Sequence, residues 1–458
     1  MPDTSPTLER SSLTKVIGAG TALYFVQNIL VQVLSVGSAF IVIGTLGVYE
    51  YGLLVLARSV FDTFNNFGNI GIASLVLTEL NIARSEGRGG VVKAVFLDYA
   101  WLRGIIMSAS FAILFFGSFV AEQYSENAVI PLVRLFSLVL VVYFLRTTFS
   151  TLFNVYLKYN YQVYAGLLDS VGYFLALIVF VYAWQMGVEG AIYAFIFSQV
   201  LTCVVFLPLY LNLYGELRRT LREPTRHLWT MLKQHGKWSV FENYVTGISK
   251  NLRPWIAAAF LSVEAVAIFS VAQSLLGHLT SLVPIDKVLT PLIPLERGDR
   301  QKVSEIFFRS FKYSLYVSLA LALGAFLFMP LFLTILFPKY LPSVPIFNII
   351  LPVFVFASFT GFLNIFYDTF RLQRDFFSLT IARLIALVAL AVPLIYFFGL
   401  IGLALEYLLS TLFFGMLRYF WLLRRVPELR VKFSKLFIFD EIDRIVLHRV
   451  YGYARRWL

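Results

Sequence analysis

Arg58, Asp62, Asn65 and Asn69 stand at intervals of four, three and four inside an otherwise apolar run. At 100° per residue they fall at about 0°, 40°, 340° and 20°, a single stripe on one helix. A charge in a hydrocarbon core costs about 2.5–3.5 kcal/mol on insertion scales, so such a stripe faces a bundle interior or a wet cavity. Guanidinium and amide groups in that setting suit one chemistry above others: charge-assisted hydrogen bonds to an anion, which Arg makes bidentately. Three further stripes share the pattern. Asn28, Gln32, Ser35 and Ser38 lie together, as do Asn243, Thr246, Lys250 and Arg253 within an arc of about 80°, and Gln273, Gly277, Thr280 and Pro284 with Lys287 a turn beyond. Arg58, Lys250, Arg253 and Lys287 face a single carboxylate, Asp62, so the expected site is a net positive wall that binds an anionic substrate with help from Asn28, Asn65, Asn69 and Gln273. With a rise of 1.5 Å per residue, Asp62 and Lys250 lie about 16 and 20 Å from their respective membrane surfaces, both near mid-membrane.

The elements that position these stripes follow from composition. The chain is 59% hydrophobic and only 14% charged, with a mean hydropathy of +0.78, which places it among integral membrane proteins. Apolar runs of roughly 20 residues recur along nearly its whole length, each long enough to cross a core about 30 Å thick. They predict about twelve helices, near 20–43, 51–78, 94–120, 130–153, 163–185, 188–213, 237–260, 263–292, 311–337, 343–368, 376–398 and 400–423. Short alternating strands, the mark of a β-barrel, are not what these runs show. Lys and Arg concentrate in alternate connections (Arg84, Arg88, Lys93; Lys158; Arg218–Arg226; Arg297–Lys302; Arg371, Arg374; Arg424, Arg425), which predicts a cytoplasmic face there and both termini inside a bacterial inner membrane. Lys339 is the basic exception on the other side. The predicted layout is an all-α protein with a cytoplasmic arm over 1–19, a six-helix lobe over 20–213, a basic linker over 214–236, a second six-helix lobe over 237–423 and a basic amphipathic tail over 424–458.

Other chemistries lack their residues. The single cysteine, Cys203, allows no internal disulfide or thiolate cluster, and the four histidines show no metal-ligand spacing. No P-loop is present, and the external connections are too short to hold a catalytic domain. No metal, cofactor or enzyme activity is expected. The net charge of +12 reads as topological bias and attraction to anionic membrane lipids, with no nucleic-acid partner. The N-terminal arm reads as a polar segment before a full-length span, without a removable signal peptide.

Residues 28–59, "NILVQVLSVGSAFIVIGTLGVYEYGLLVLARS", align in hydropathy and loop position with 243–274, "NYVTGISKNLRPWIAAAFLSVEAVAIFSVAQS". Two six-span halves of equal sense follow, a known transporter plan. Within the first half, "LGVYEYGLLVLARSVFDTFNNFGNIGIASLVLTELNIARSEGR" (46–88) resembles the second span and following loop of polysaccharide flippases of the multidrug/oligosaccharidyl-lipid/polysaccharide exporter superfamily. That resemblance implies translocation of a polyprenyl-diphosphate-linked oligosaccharide by alternating access, for surface polysaccharides such as O-antigen. Its partners would be that lipid-linked substrate, membrane lipids, and a polymerase or other assembly protein.

Competing readings stand beside these. A cation-coupled multidrug-type exporter of the same fold would favour carboxylates and aromatics over cations; a polytopic enzyme of polysaccharide assembly is the third class. Arg58 and Asp62, at i and i+4, also fit a structural ion pair. Arg146 is expected to snorkel to the cytoplasmic surface, His278 and Asp286 to be local, Asn364 and Asp368 to sit at a solvated helix end, and Glu406 to be wet near the outer surface. In the tail, Leu436, Phe439, Ile442, Val446, Val450 and Tyr453 recur at three to four residues, which fits a helix on the leaflet or docked on a partner.

Asp62 has two roles open to it. If it neutralises a cation in the empty cavity, Asp62→Asn binds substrate at least as tightly and turns over more slowly; if it carries a coupling proton or cation, Asp62→Asn loses dependence on an ion gradient. Substrate binding and gradient-driven transport in reconstituted protein separate the two, and weaker binding with unchanged gradient dependence excludes both.

Overall fold

In the computed structural model the described residues are 10–125, 127–156, 158–223, 227–233, 237–283, 299–370, 372–431 and 433–438, with Leu289, Ile293 and Asp443; side chains are described from Gln27 onward. Among them every regular element is helical. The first lobe comprises α1 (Arg10–Thr45), α2 (Val48–Asn69), α3 (Ala73–Ser85), α4 (Gly89–Tyr124), α5 (Val129–Val155), α6 (Tyr159–Leu177, continued by a wider turn over Ile178–Ala183) and α7 (Gly187–Arg219). The short α8 (His227–Met231) leads to the second lobe: α9 (Lys237–Phe260), α10 (Val263–Ser281), α11 (Arg300–Leu336), α12 (Ser343–Thr369) and α13 (Gln373–Arg425); α14 (Phe433–Leu436) opens the tail.

Eight of these helices are long and apolar enough to cross a membrane, or nine when the bent pair within α12 counts as one span. Two features hide the rest. Gly399, at φ +58°, folds α13 into two limbs, 373–398 and 400–425. A Cβ on Gly402 would lie 1.9 Å from the Leu394 carbonyl, so the limbs close as a tight hairpin. Helices α2 and α9 fall short in hydropathy because they carry the polar stripes. With these added, the crossings number about twelve. The predicted second span over 51–78 is interrupted: Ile70 and Gly71 take positive φ, ending α2 and starting α3 in a new direction.

Local signals start several helices. Glu50 accepts from the Gly47 amide at 2.8 Å, Ser262 from Ala265 at 3.2 Å, and Asp299 from Gln301 and Lys302 at 3.1 and 3.0 Å, each satisfying donors at a helix start. Prolines inside helices (Pro208, Pro254, Pro330, Pro352, Pro393) are tolerated because neighbouring helices shield the freed carbonyls. The same neighbour pairs recur in both lobes: α1 packs on α6 as α9 packs on α13, and α2 on α5 as α10 on α12.

The apolar cores are joined at one end of the bundle and separate at the other. Near the connections that carry Glu50, Glu189 and Glu264, Leu53, Phe61, Val266, Phe269, Ile350 and Leu403 belong to one core, and Ile43, Ala267, Val271, Phe337 and Tyr340 form another bridge between lobes. Lys339, the basic exception, donates to the carbonyls of Gly44 and Leu46 at 2.9 and 2.5 Å and so caps the end of α1 from the opposite lobe. At the basic end, Ile72, Leu80, Phe96, Phe149 and Leu217 pack within the first lobe, while Phe307, Phe359, Phe366 and Tyr419 pack within the second. The molecule is closed at its acidic end and divided at its basic end.

The tail does not lie free. Tyr316 donates to the Leu436 carbonyl at 2.7 Å, and Lys312 to the Ile438 carbonyl and the Asp443 carboxylate at 2.6 Å each; Tyr313 also donates to Asp443 at 2.6 Å. The leading part of the expected leaflet or partner helix is thus anchored on α11, where the buried Asp443 carboxylate finds its partners. Phe439, Ile442, Val446, Val450 and Tyr453 lie outside the described residues.

Closure at the acidic end depends on Gly52, where a Cβ would come within 2.1 Å of the Val263 carbonyl. Gly52→Ala is expected to lower thermal stability of the purified protein by about 1–3 kcal/mol. Gly277→Ala, with open space around it, should leave stability unchanged or slightly raised. A thermal melt of both variants checks this.

Candidate functional site

A cavity of about 500 Å³ lies between α1, α2, α6, α7 and α10. Arg58 and Asp62 meet on α2 at 3.8 Å, and both remain open, with side chains 57% and 44% exposed. The Arg58 guanidinium also stands 5.8 Å from the Phe195 ring centre. The i, i+4 spacing is thus realised as a loose ion pair whose charges face a wet interior. Ser35, Ser38, Tyr51, Asp169, Tyr173 and Ser198 complete the polar wall.

Behind this wall is a closed network. Arg146 meets Asp169 at 3.0 Å and donates to Gln199 at 2.6 Å, while Gln199 donates to Asp169 at 2.6 Å. Arg146 therefore turns inward; the expected snorkelling is corrected because an interior carboxylate one helix away offers a stronger partner than the surface. His278 is likewise not local. It lines the cavity and pairs with Gln32 at 3.1 Å across the two lobes.

The second lobe holds a different arrangement. Arg253, 4% exposed, donates from Nε and Nη2 to Glu406 at 2.8 and 3.1 Å and to Ser410 at 3.3 Å, and it lies 4.7 Å from the Tyr407 ring. Both the expectation that Arg253 opens on water and the expectation that Glu406 is wet are corrected. Glu406 is 0% exposed because α13's second limb presents it to α9, and each charge removes the other's burial cost. Lys250 is exposed, on the same face of α9 as Glu242 and Thr246, which bond to each other at 2.7 Å. Two arginines that the sequence reading passed over complete the set. Arg383, on the first limb of α13, donates to Thr411 on the second at 3.1 Å; Arg418, on the second, donates to Thr380 on the first at 3.0 Å. Their sequence signal was an arginine in each of two runs taken as ordinary spans.

The other expected residues scatter. Asn65 is half-buried, with an Oδ1 that finds no partner. Asn28 and Asn69 are exposed, and Gln273 is half-buried while its neighbour Ser274 lines the cavity. Lys287 and Asp286 lie outside the described residues. The four stripes do not form one wall: Arg58 and Asp62 belong to the first-lobe cavity, Lys250 and Arg253 to the second lobe.

The two seams between lobes differ. Along α2 and α9, Ser239 donates to the Gly71 carbonyl at 2.8 Å, Asn243 to the Asn66 carbonyl at 3.1 Å and Trp255 to Ser59 at 2.8 Å, with Phe67 and Tyr244 edge to face at 5.1 Å. Along α1 and α10, Gln32–His278 is the polar contact among the described residues.

A twelve-crossing helical bundle with two repeated lobes and a polar interior is the fold of transporters of the MOP superfamily. A family model described as "Polysaccharide biosynthesis protein" matches residues 41–345, and the chain belongs to that family. A search of curated proteins finds no match. Among solved structures, the inward-facing conformation of a multidrug resistance MATE family transporter is similar at TM-score 0.72 and 16% identity, covering 87% of this chain and 95% of its own. The outward-facing conformation of a transporter so described gives 0.64 at 16%, covering 88% and 94%. A superfamily member from Pyrococcus furiosus, whose binding pocket is described as having reverse polarity, gives 0.63 at 15%, covering 90% and 94%. The fold is that of these transporters.

If Arg253 and Glu406 form a structural pair, removing one partner strands a buried charge. Arg253→Met and Glu406→Leu should each cost about 3–5 kcal/mol, and the double variant should recover most of the loss. Thermal unfolding of the singles and the double measures it; additive losses would show that the two side chains act independently.

Proposed function

We propose that the protein is a flippase for a polyprenyl-diphosphate-linked oligosaccharide, working by alternating access between its two lobes. One observation carries this reading: Asp62, Asp169 and Glu406 each face an arginine and Glu242 is bonded to Thr246 with Arg418 in electrostatic reach, while three cations, Lys250, Arg383 and Arg418, form no ion pair among the described residues, so unpaired cations outnumber unpaired carboxylates. A cationic drug needs an available carboxylate, and an anionic head needs available cations. Membership of a polysaccharide biosynthesis family supports the same cargo. The multidrug reading is favoured by the structural neighbours alone, and likeness of fold does not carry substrate.

The division of cores fits a state open at the basic end, which the excess of Lys and Arg places at the cytoplasm. In that state the head group enters between the lobes. The lightly joined α1–α10 seam is where the lipid chain stays in the bilayer, since the α2–α9 seam is fastened along its length.

Deletion of the gene should cause lipid-linked oligosaccharide to accumulate with its glycan protected from an external glycosidase. Re-expression should restore exposure. Normal glycan exposure in the deletion strain, in the absence of a second flippase gene, would overturn the proposal.

A further inference from the structure

The charges of the second lobe do not balance. Lys250, Arg253, Arg383 and Arg418 stand against Glu242 and Glu406. Arg253 is neutralised by Glu406 at 2.8 Å. Arg383 has no carboxylate in ion-pair range among the described residues; it lies within electrostatic reach of Arg253, Arg418 and Glu406, and it donates a hydrogen bond to the neutral Thr411. Arg418 bonds to Thr380, lies 4.4 Å from the Phe376 ring and has a buried Nε with no acceptor, with Glu242 within electrostatic reach.

Cations without an ion-pair partner inside a membrane bundle are costly. A purely structural role would be served by a carboxylate at position 380 or 411, yet both positions are threonine. The threonines do something a carboxylate would not. Each crosses from one limb of α13 to the arginine of the other, fixing the guanidinium without quenching its charge. The Gly399 hairpin lays the two limbs side by side and the crossed bonds to Thr411 and Thr380 hold both guanidiniums at that seam, so the remaining N–H donors can serve one ligand. The surplus, four cations against two carboxylates, matches the about two negative charges of a diphosphate diester.

We infer that Arg383 and Arg418, oriented by Thr411 and Thr380, form the clamp for the substrate's diphosphate, with Lys250 on α9 at its open side. This rests on the flippase reading and relocates its anion site: Arg253 supports the clamp through Glu406, and Arg58 with Asp62 serves the first-lobe cavity. The clamp spans the two limbs of one hairpin, so it moves as part of the second lobe and carries the phosphates with it when the lobes rock.

The test uses purified full-length protein in detergent and geranyl diphosphate as probe, with geranyl monophosphate for comparison. Wild type should bind the diphosphate saturably and at least tenfold tighter than the monophosphate. Arg383→Gln and Arg418→Gln should each weaken diphosphate binding at least tenfold and erase most of that preference, while Arg300→Gln, an exposed cation paired with Glu428, leaves it unchanged. Arg383→Lys should retain part of the binding. Should the glutamine variants fail to insert, Thr411→Val and Thr380→Val decide: a several-fold loss supports the clamp, and unchanged binding overturns it. Wild-type binding that survives in both glutamine variants overturns the clamp and leaves the flippase reading standing. Absence of saturable binding by wild type overturns both.

Discussion

An ion within a membrane bundle must be matched, hydrated or occupied, and that constraint organises this protein's interior. Arg146 is matched by Asp169 and Gln199, and Arg253 by Glu406, each pair drawn from different helices and so tying those helices together. Arg58 is left exposed, on the wall of a cavity of about 500 Å³ with Asp62 3.8 Å away. Arg383 and Arg418 are neither, held by hydroxyls alone or with a distant carboxylate. The three solutions divide structural charges from those available to a ligand.

A second constraint is that the lobes share an apolar core at one end and not at the other. The joined end uses close backbone approach at Gly52 and a cross-lobe cap from Lys339, contacts that depend on position within ångströms. Among the described residues, the divided end packs within each lobe, apart from the start of α9 on α2. Under the proposed alternating access, rocking that opens the first end and closes the second would exchange specific contacts at one end for new ones at the other. Pseudo-symmetry is broken at the seams: α9 is fastened to α2 by hydrogen bonds and an aromatic pair, while α1 meets α10 through Gln32 and His278. The tail adds weight to the second lobe, where Asp443 sits buried against Lys312 and Tyr313.

Much of this was legible in the sequence. Membrane crossing, the helical class and the two-lobed repeat follow from hydropathy, which is additive along the chain and needs no knowledge of neighbours; the superfamily came from the resemblance carried by residues 46–88. The break at Gly399 was legible because a turn is a local event. So was the Arg58–Asp62 pair, since i and i+4 on a helix are adjacent whatever surrounds them. The side of the bundle on which a stripe lands was not legible, because that depends on which distant helix packs there. Arg253 looked available until Glu406, 153 positions away, proved to face it. Arg146 seemed a surface residue until Asp169 and Gln199 turned it inward. Arg383 and Arg418 are each a lone cation in an apolar run, and only the hairpin of α13 brings each to a threonine of the opposite limb. The sequence by itself determined how many times the chain crosses and which residues are charged within the crossings. Tertiary structure decided which of those charges are spent on one another, because ion pairing between helices depends on distance in space and not on spacing along the chain.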